Sequence, residues 1–378
     1  MKKKYNVLLI GLIIVVLLTS CWDRRLLKDH SLIMAIGYDL NDDGTISKTV
    51  TFPRETIVNI GKSSDSEATE SHTITTTGPT VGAADLDLER YLSQRFDRSK
   101  ARILLLGEGL ARDGIYAALD SMYRDPRGPL SALVAVVSGR AEQGLTMENQ
   151  QSFFVSEFYY NLLKSSEESG IIVCENIQSI CPVILSRRKD IALPFISAEH
   201  ETNEINISGL ALFTGEKMTG TLNLEESIMY LILTDNISKK AKFNLKISDD
   251  QKDNQKNYAT IAIRNEKRKI DVKPNPVQPV VNLHLTLQIE IEEFAKNHLY
   301  RKGAIGKLEK QVSKQLMELA HQTLDKMKEA NNDSLGIGEK IRAYHYKVWE
   351  KVDWNELYPK TVFHIDFDVE IVQHGVIN

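Results

Sequence analysis

The stretch Val281-Asn282-Leu283-His284-Leu285-Thr286-Leu287-Gln288-Ile289-Glu290-Ile291-Glu292 decides how the C-terminal third of the chain folds. Apolar and polar side chains alternate with period two, which is the pattern of a long strand with one face on a core and the other in water. Downstream, Gly303 to Glu329 changes to helical period, with Ile305, Leu308, Val312, Leu316, Leu319, Leu324 and Met327 on one stripe. The final segment returns to alternation: Phe363, Ile365, Phe367, Val369 and Ile371 against His364, Asp366, Asp368 and Glu370. Two half-wet strands and one long amphipathic helix make an α+β layer, the helix covering the apolar face. Upstream of this unit, Lys239 to Asn257 is polar and charged and reads as a linker.

The first half reads differently. Ser31 to Asp39 and Thr45 to Phe52 form a hairpin around Asn41-Asp42-Asp43-Gly44, residues that tolerate positive φ. Asp39, Asn41, Asp43 and Gly44 also match the first half of a calcium loop, but Val50 stands where the bidentate Glu belongs and the flanks are strands. Gly61 to Thr80 reads as a polar loop with a strand near Thr73 to Thr77, and Thr80 to Phe96 as a helix. The strand Arg102 to Leu106, the amphipathic helix Leu110 to Tyr123 and the buried strand Leu130 to Val137 suggest a crossover unit in a mixed sheet. Further on, a helix is expected over Gln150 to Lys164 with Phe154, Phe158 and Leu162 on its apolar face, and a shorter one around Ile177 and Ile180. Ile205 to Phe213 and Met218 to Leu222 flank a turn at Thr214 to Lys217. A helix follows from Leu224, with Asn223 as N-cap and Glu225 and Glu226 in its first turn.

The extreme N-terminus sets the compartment. Lys2, Lys3 and Lys4 precede an apolar run from Val7 to Leu18, the anatomy of a secretory signal and too short to span a bilayer. Leu18-Thr19-Ser20-Cys21 looks like the lipobox of bacterial lipoproteins, which implies cleavage between Ser20 and Cys21 and acylation of the Cys21 thiol. Two acyl chains hold a protein on a bilayer where one holds it only marginally. The expected organisation is a signal peptide at 1–20, an N-terminal mixed α/β domain at 21–148, a middle domain at 149–238 and a C-terminal α+β domain at 239–378. The overall fold class is thus α+β, several mixed sheet-plus-helix domains following a cleaved lipoprotein signal peptide.

With 378 residues the chain exceeds one typical core. Removing residues 1–20 takes away three lysines and leaves 44 basic against 51 acidic residues, a net charge of about −7 with no concentrated basic face. Nucleic acid is therefore not an expected partner. Cys174 and Cys181 read as free thiols, since helical spacing would set them about two turns apart. His364, Asp366 and Asp368 share a strand face, yet alternation alone puts polar residues in solvent, so no metal is assigned. Catalytic and phosphate motifs fail: Arg112 replaces the third glycine after Gly107-Glu108-Gly109, Thr221 stands where a phosphate loop needs Lys, and His200-Glu201 lacks its second His.

Several stretches nevertheless resemble one family: Cys21-Trp22-Asp23-Arg24-Arg25, Ala35 to Asp39, Ile103 to Arg112, Arg124-Asp125-Pro126, Ile207 to Leu222, Gly336-Ile337-Gly338 before Tyr344 to Trp349, and Val362 to Gly375. In this order they are similar to the Ger(x)C family, the C-subunit lipoproteins of nutrient germinant receptors in endospore-forming bacteria. Gly128-Pro129 and a short acidic stretch before Gly336 depart from the family pattern locally. The resemblance implies a non-catalytic subunit without cofactors. It would be held at the outer face of the membrane, the spore's inner membrane, by the lipid on Cys21, and would act with integral-membrane A and B subunits. It names no nutrient and no small-molecule ligand. A lipid-anchored solute-binding protein of an importer is the alternative, though half-wet strands fit two doubly wound lobes poorly, and an envelope enzyme is third. Besides Cys21, the residues singled out are Trp22 at the membrane interface, Arg124 and Asp125 as a structural pair or interface element, and Trp349 and Trp354 as core.

Overall fold

The computed structural model describes residues 30–53, 71–147, 154–186, 189–199, 203–238, 240–248, 255–296 and 298–374. The signal peptide with Ser20, Cys21 and Trp22, most of the polar loop after Gly61, and His200-Glu201 lie outside them.

In chain order the N-terminal part contains β1 (His30–Leu32), β2 (Ala35–Leu40), β3 (Ile46–Pro53), β4 (Ser71–Gly78), α1 (Val81–Leu88), β5 (Arg95–Asp97), β6 (Ile103–Gly107), α2 (Glu108–Asp113), α3 (Tyr116–Arg124) and β7 (Leu133–Val137). Then come α4 (Ala141–Thr146), α5 (Val155–Glu168), β8 (Glu175–Asn176), α6 (Ile177–Ser186), β9 (Ala192–Glu199), β10 (Glu204–Thr214), β11 (Lys217–Leu222) and α7 (Leu224–Thr234). The C-terminal part is β12 (Lys242–Lys246), β13 (Tyr258–Lys273), β14 (Val280–Glu293), α8 (Ala304–Glu329), α9 (Ile337–Tyr344), α10 (Tyr346–Trp349), α11 (Trp354–Leu357) and β15 (Val362–Gln373).

Nine strands form one mixed sheet in the order β11-β10-β9-β7-β6-β2-β3-β4, with β8 paired to β7. Its centre, β2, β6, β7 and β9, is parallel, and antiparallel hairpins extend both edges. The central strands are buried on both faces, as their unbroken apolar runs require. One face packs on α1, α2, α3 and α6 through Leu88, Leu110, Leu119, Met122 and Ile180. The other packs on α4 and α5 through Leu145, Tyr159 and Leu163, in a core that continues through α7 into the C-terminal sheet. There β12-β13-β14-β15 make a second sheet whose apolar face is covered by α8, while its other face stays open.

Several expectations shift. The helix expected over Leu110 to Tyr123 is broken at Gly114, whose φ of 146° no helix accommodates, although Leu110, Ile115, Ala118, Leu119 and Met122 all face the core. The helix after Thr80 stops at Leu88, and the chain returns as β5. The inner face of α5 is Val155, Tyr159 and Leu163, one residue out of phase with the stripe read from Phe154, and Phe158 and Leu162 pack at its margin. The supposed linker 239–257 contains β12, whose Phe243 and Leu245 alternate into the core. Because β8 to β11 hydrogen-bond into the sheet of 35–137, no sheet boundary falls at 148/149. The calcium-like Asp39 turns inward and caps α4, accepting from the amides of Ala141 (2.7 Å) and Glu142 (3.0 Å). Gly107 is required beside it, since a Cβ there would fall 2.0 Å from its Oδ1.

Arg124 and Asp125 do not pair with each other. Arg124 binds Asp120 one turn back, at 2.8 Å, while Asp125 accepts from the guanidinium of Arg98. Arg98 also bonds Asp85 of α1 and the Ser121 carbonyl. Asp85 in turn pairs with Lys48 of β3, which is fully buried with its ammonium 4.5 Å from the Phe96 ring centroid. Burial lowers the Lys48 ammonium to about 8 against the attraction of Asp85. Losing one partner of such a pair leaves an uncompensated charge in an apolar layer, so Asp85→Ala is expected to lower the unfolding free energy by about 3 kcal/mol. Adding Lys48→Met should recover part of that loss in equilibrium urea titrations. A double variant no more stable than Asp85→Ala alone would remove this account of how α1 is held.

Candidate functional site

The two sheets meet at a polar turn, and the site is built there. After α8, residues 330–336 leave the helix through Asn331 (φ 51°) and end at Gly336 (φ 67°), positive-φ positions that reverse the chain tightly. The turn enters the edge of the large sheet. The Asn332 amide, fully buried, donates to the carbonyls of Ile191 (3.0 Å) and Phe213 (2.6 Å). The Thr214 and Thr219 hydroxyls donate to the Ala330 carbonyl at 2.6 and 2.7 Å.

Two carboxylates organise the rest. Asp190 accepts from the Gly215 amide at one oxygen and from the Asp333 amide at the other, both at 2.8 Å. Asp333 accepts from the amides of Ile337 (2.9 Å) and Gly338 (2.7 Å) at the start of α9, and from the Trp354 indole N–H (2.9 Å). Gly338 has no room for a side chain, because a Cβ would lie 2.6 Å from that indole nitrogen. Burial pushes the Asp333 carboxyl up to about 7, reinforced by the charge of Asp190 and opposed by its three donors. Asp190 is raised by burial and drawn back by its two amides. At the mouth of this junction is a cleft of about 440 Å³ bordered by Tyr116, Lys189, Asp190, Glu216, Asp333 and Trp354.

A second tie lies alongside. Asn223 caps α7 as expected, in a capping box with Glu226. Glu226 also binds Lys326 of α8 at 2.8 Å. The carboxylates here are engaged by amides, an indole and an ammonium, and they fix the position of one half of the chain on the other. Asp190, Asn332 and Asp333 have no signature in the sequence. Asn331-Asn332-Asp333-Ser334 between a helix and a glycine reads as an ordinary solvated turn, and only its burial separates it from one.

Of the residues expected from sequence, Trp354 reaches the junction and stacks with Trp349 at 6.0 Å, both half-buried. Arg124 and Asp125 lie away from it. Cys181 is buried and Cys174 half-buried, both free, and burial pushes their thiols up to about 11 and 12. His364, Asp366 and Asp368 lie on the exposed face of β15. Among the described residues no group of three or more His, Cys, Asp or Glu is placed to hold a metal ion.

Asp333→Ala leaves three buried donors unmatched and is expected to cost about 3 kcal/mol or more in urea unfolding. In the folded chain Asp333 keeps its proton up to about 7, while an unfolded Asp releases it near 3.8, so the folded state holds the extra proton between these values. The unfolding free energy should therefore fall as pH rises across that window, and less steeply in Asp333→Asn. Identical slopes for wild type and variant would remove Asp333 as the cause.

Two family models match end to end. The "Spore germination protein N-terminal domain" covers residues 23–198, and "Spore germination B3/GerAC like, C-terminal" covers residues 208–375. The junction between the two matches falls at the β9–β10 turn, inside the large sheet. The chain is 24% identical over 366 residues to the spore germination protein GerQC of Bacillus cereus, covering 97% of this chain and 98% of that one. It is 21% identical over 412 residues to the spore germination protein YndF of Bacillus subtilis (strain 168), covering 100% and 98%. The crystal structure of the GerBC protein superposes with a TM-score of 0.58 at 17% identity, over 89% of this chain and 96% of that one, so the fold is shared. With its N-terminal and C-terminal halves both matched, the chain belongs to the GerAC-like family of spore germination proteins.

Proposed function

We propose that the chain is the lipid-anchored, non-catalytic C subunit of a nutrient germinant receptor. It acts through contacts with integral-membrane A and B subunits at the outer face of the spore's inner membrane. The observation that carries this reading is the position of the family match, which begins at residue 23, two residues past the cysteine of Leu18-Thr19-Ser20-Cys21. Attachment is assigned to acyl chains on Cys21 because Leu18-Thr19-Ser20-Cys21 resembles a lipobox behind a signal-like apolar run. Trp22 would then lie at the headgroup level. Arg124, with a side chain 76% exposed, is free to meet a partner subunit, whereas Asp125 serves the Arg98 network. The mechanism is confinement: a tethered body samples partners in the same membrane at a high effective concentration.

The reading is tested by Cys21→Ala in a strain lacking redundant receptors. The variant is expected to lose its acyl groups, to leave the membrane pellet after a carbonate wash, and to reduce germination toward the level of a gene deletion. Continued acylation and membrane retention would overturn the anchor. A deletion strain that germinates normally on every nutrient tested would overturn the receptor role.

A further inference from the structure

The uncovered face of the C-terminal sheet has an ordered charge pattern. Between the β13 bulge at Ile263/Asn265 and the β13–β14 turn, three strands are in register, and each row places one residue from β13, one from β14 and one from β15 side by side. On the open face the rows are Lys273-Val280-Val362, Asp271-Asn282-His364, Lys269-His284-Asp366, Lys267-Thr286-Asp368 and Asn265-Gln288-Glu370. The two middle rows with lysine, Lys269-His284-Asp366 and Lys267-Thr286-Asp368, have a hydrogen-bonding residue at the centre and opposite charges at their ends, and no row has like charges at both ends. Asp271, Lys269, Lys267, His364, Asp366 and Asp368 are all exposed.

The ends of one row cannot neutralise each other. β13 and β15 lie two strand spacings apart, about 9.6 Å, well beyond ion-pair range. Within the sheet, Asp271 accepts from Asn282 (3.2 Å) and Asp366 bonds His284 (2.9 Å). Among the described residues Lys267, Lys269 and Asp368 hold no ion pair. The result is a polar surface whose β13 margin is mainly cationic, with Asp271 among its lysines, and whose β15 margin is mainly anionic, on either side of a neutral spine.

Such a surface is complementary to itself under one symmetry operation. A two-fold axis lying along β14, between two copies packed face to face, exchanges the β13 and β15 margins and keeps every row opposite its own image. Lys269 then faces Asp366 of the other copy, Lys267 faces Asp368, and Asp271 faces His364. Thr286 lies on the axis and faces itself. A two-fold axis across the strands would instead set lysines over lysines. Strands of the two copies run aligned, as in ordinary face-to-face sheet packing. We propose that this open sheet face is a self-association surface whose occupant is the same face of a second copy of the chain.

The expected strength follows from size and chemistry. Rows spanning about nine residues at 3.3 Å by three strands give a contact on the order of 1,000 Å² in total, at the low end for specific interfaces. Exposed ion pairs contribute little each and weaken with salt. The dimer is therefore weak and reversible in solution. It becomes populated when copies share one surface, a consequence that rests on the membrane anchor proposed above, whereas the association itself does not.

The test uses the full-length chain in detergent, loaded at high micromolar concentration in sedimentation velocity at low and high salt. Wild type is expected to show a reversible monomer–dimer equilibrium that weakens as salt rises. Lys267→Glu with Lys269→Glu makes both margins acidic, and Asp366→Lys with Asp368→Lys makes both basic. Each variant alone should dimerise at least about tenfold more weakly, because like charges then face each other. An equimolar mixture of the two should form heterodimers, which no loss of folding could produce. Thr286→Cys should cross-link to itself with a short bis-maleimide, and Lys314→Cys on the outer face of α8 should not. Wild-type chain that stays monomeric under these conditions, with no Thr286→Cys cross-linking, overturns the proposal. So does a dimer indifferent to the charge exchange, or a face that binds only a different protein.

Discussion

The structure depends on the burial of a polar turn. Apolar packing of a helix on a sheet is compatible with more than one register, since dispersion contacts have little direction. Asn332 and Asp333 remove that freedom. An amide that has left water must find carbonyls, and the two it finds belong to Ile191 and Phe213, at the start of β9 and the end of β10. Displacing α8 by one turn would leave the amide, the Asp190 carboxylate and three donors unmatched together. The core that runs from Leu105 through Met229 to Leu316 provides the bulk of the stabilisation, and the polar turn selects one arrangement of it.

The two sheets solve different problems. The larger one is parallel at its centre, where crossover connections put helices on both faces and the strands read as continuous apolar runs. The smaller one has a single long helix available and covers a single face. Its alternation of Leu and Ile with His, Thr, Gln and Glu is a direct consequence, since each second residue has nothing but water opposite. The division into a doubly covered and a singly covered sheet thus follows from how much helix the chain carries between its strands.

The half-wet C-terminal sheet was legible, and so was what depends on period, whereas the extension of the large sheet past residue 148 was not. Val281 to Ile291, the stripe of α8, the β10–β11 hairpin and the Asn223 cap lie where their patterns put them, because each rests on residues adjacent in sequence. What was not legible depends on distant partners. β12 is too short and too charged to announce itself and exists because Lys242 to Lys246 pairs with β13. Tyr159 and not Phe158 takes the centre of its helix face, with its hydroxyl donating to the Gly144 carbonyl at 2.9 Å, a tertiary contact that period alone does not reveal. Asp333 carries no sign of its burial, because a buried carboxylate and a solvated one are written with the same letter.

Rigidity at the junction and openness on the C-terminal sheet belong to one design. On the function proposed, contact with partner subunits calls for surfaces held in a fixed relation, so that a displacement at one reaches the other instead of being absorbed by a hinge. The Asp190–Asp333 turn, backed by the Glu226–Lys326 pair, ties the segment after α8 and α8 itself to the large sheet and α7. The unpacked face of β13, β14 and β15 can stay polar and exposed without loss of stability, because the strands are already held from the opposite side by α8. A face tied together only by cross-strand contacts such as Asn282 to Asp271 and His284 to Asp366 leaves the rest of its polar side chains available to whatever it meets.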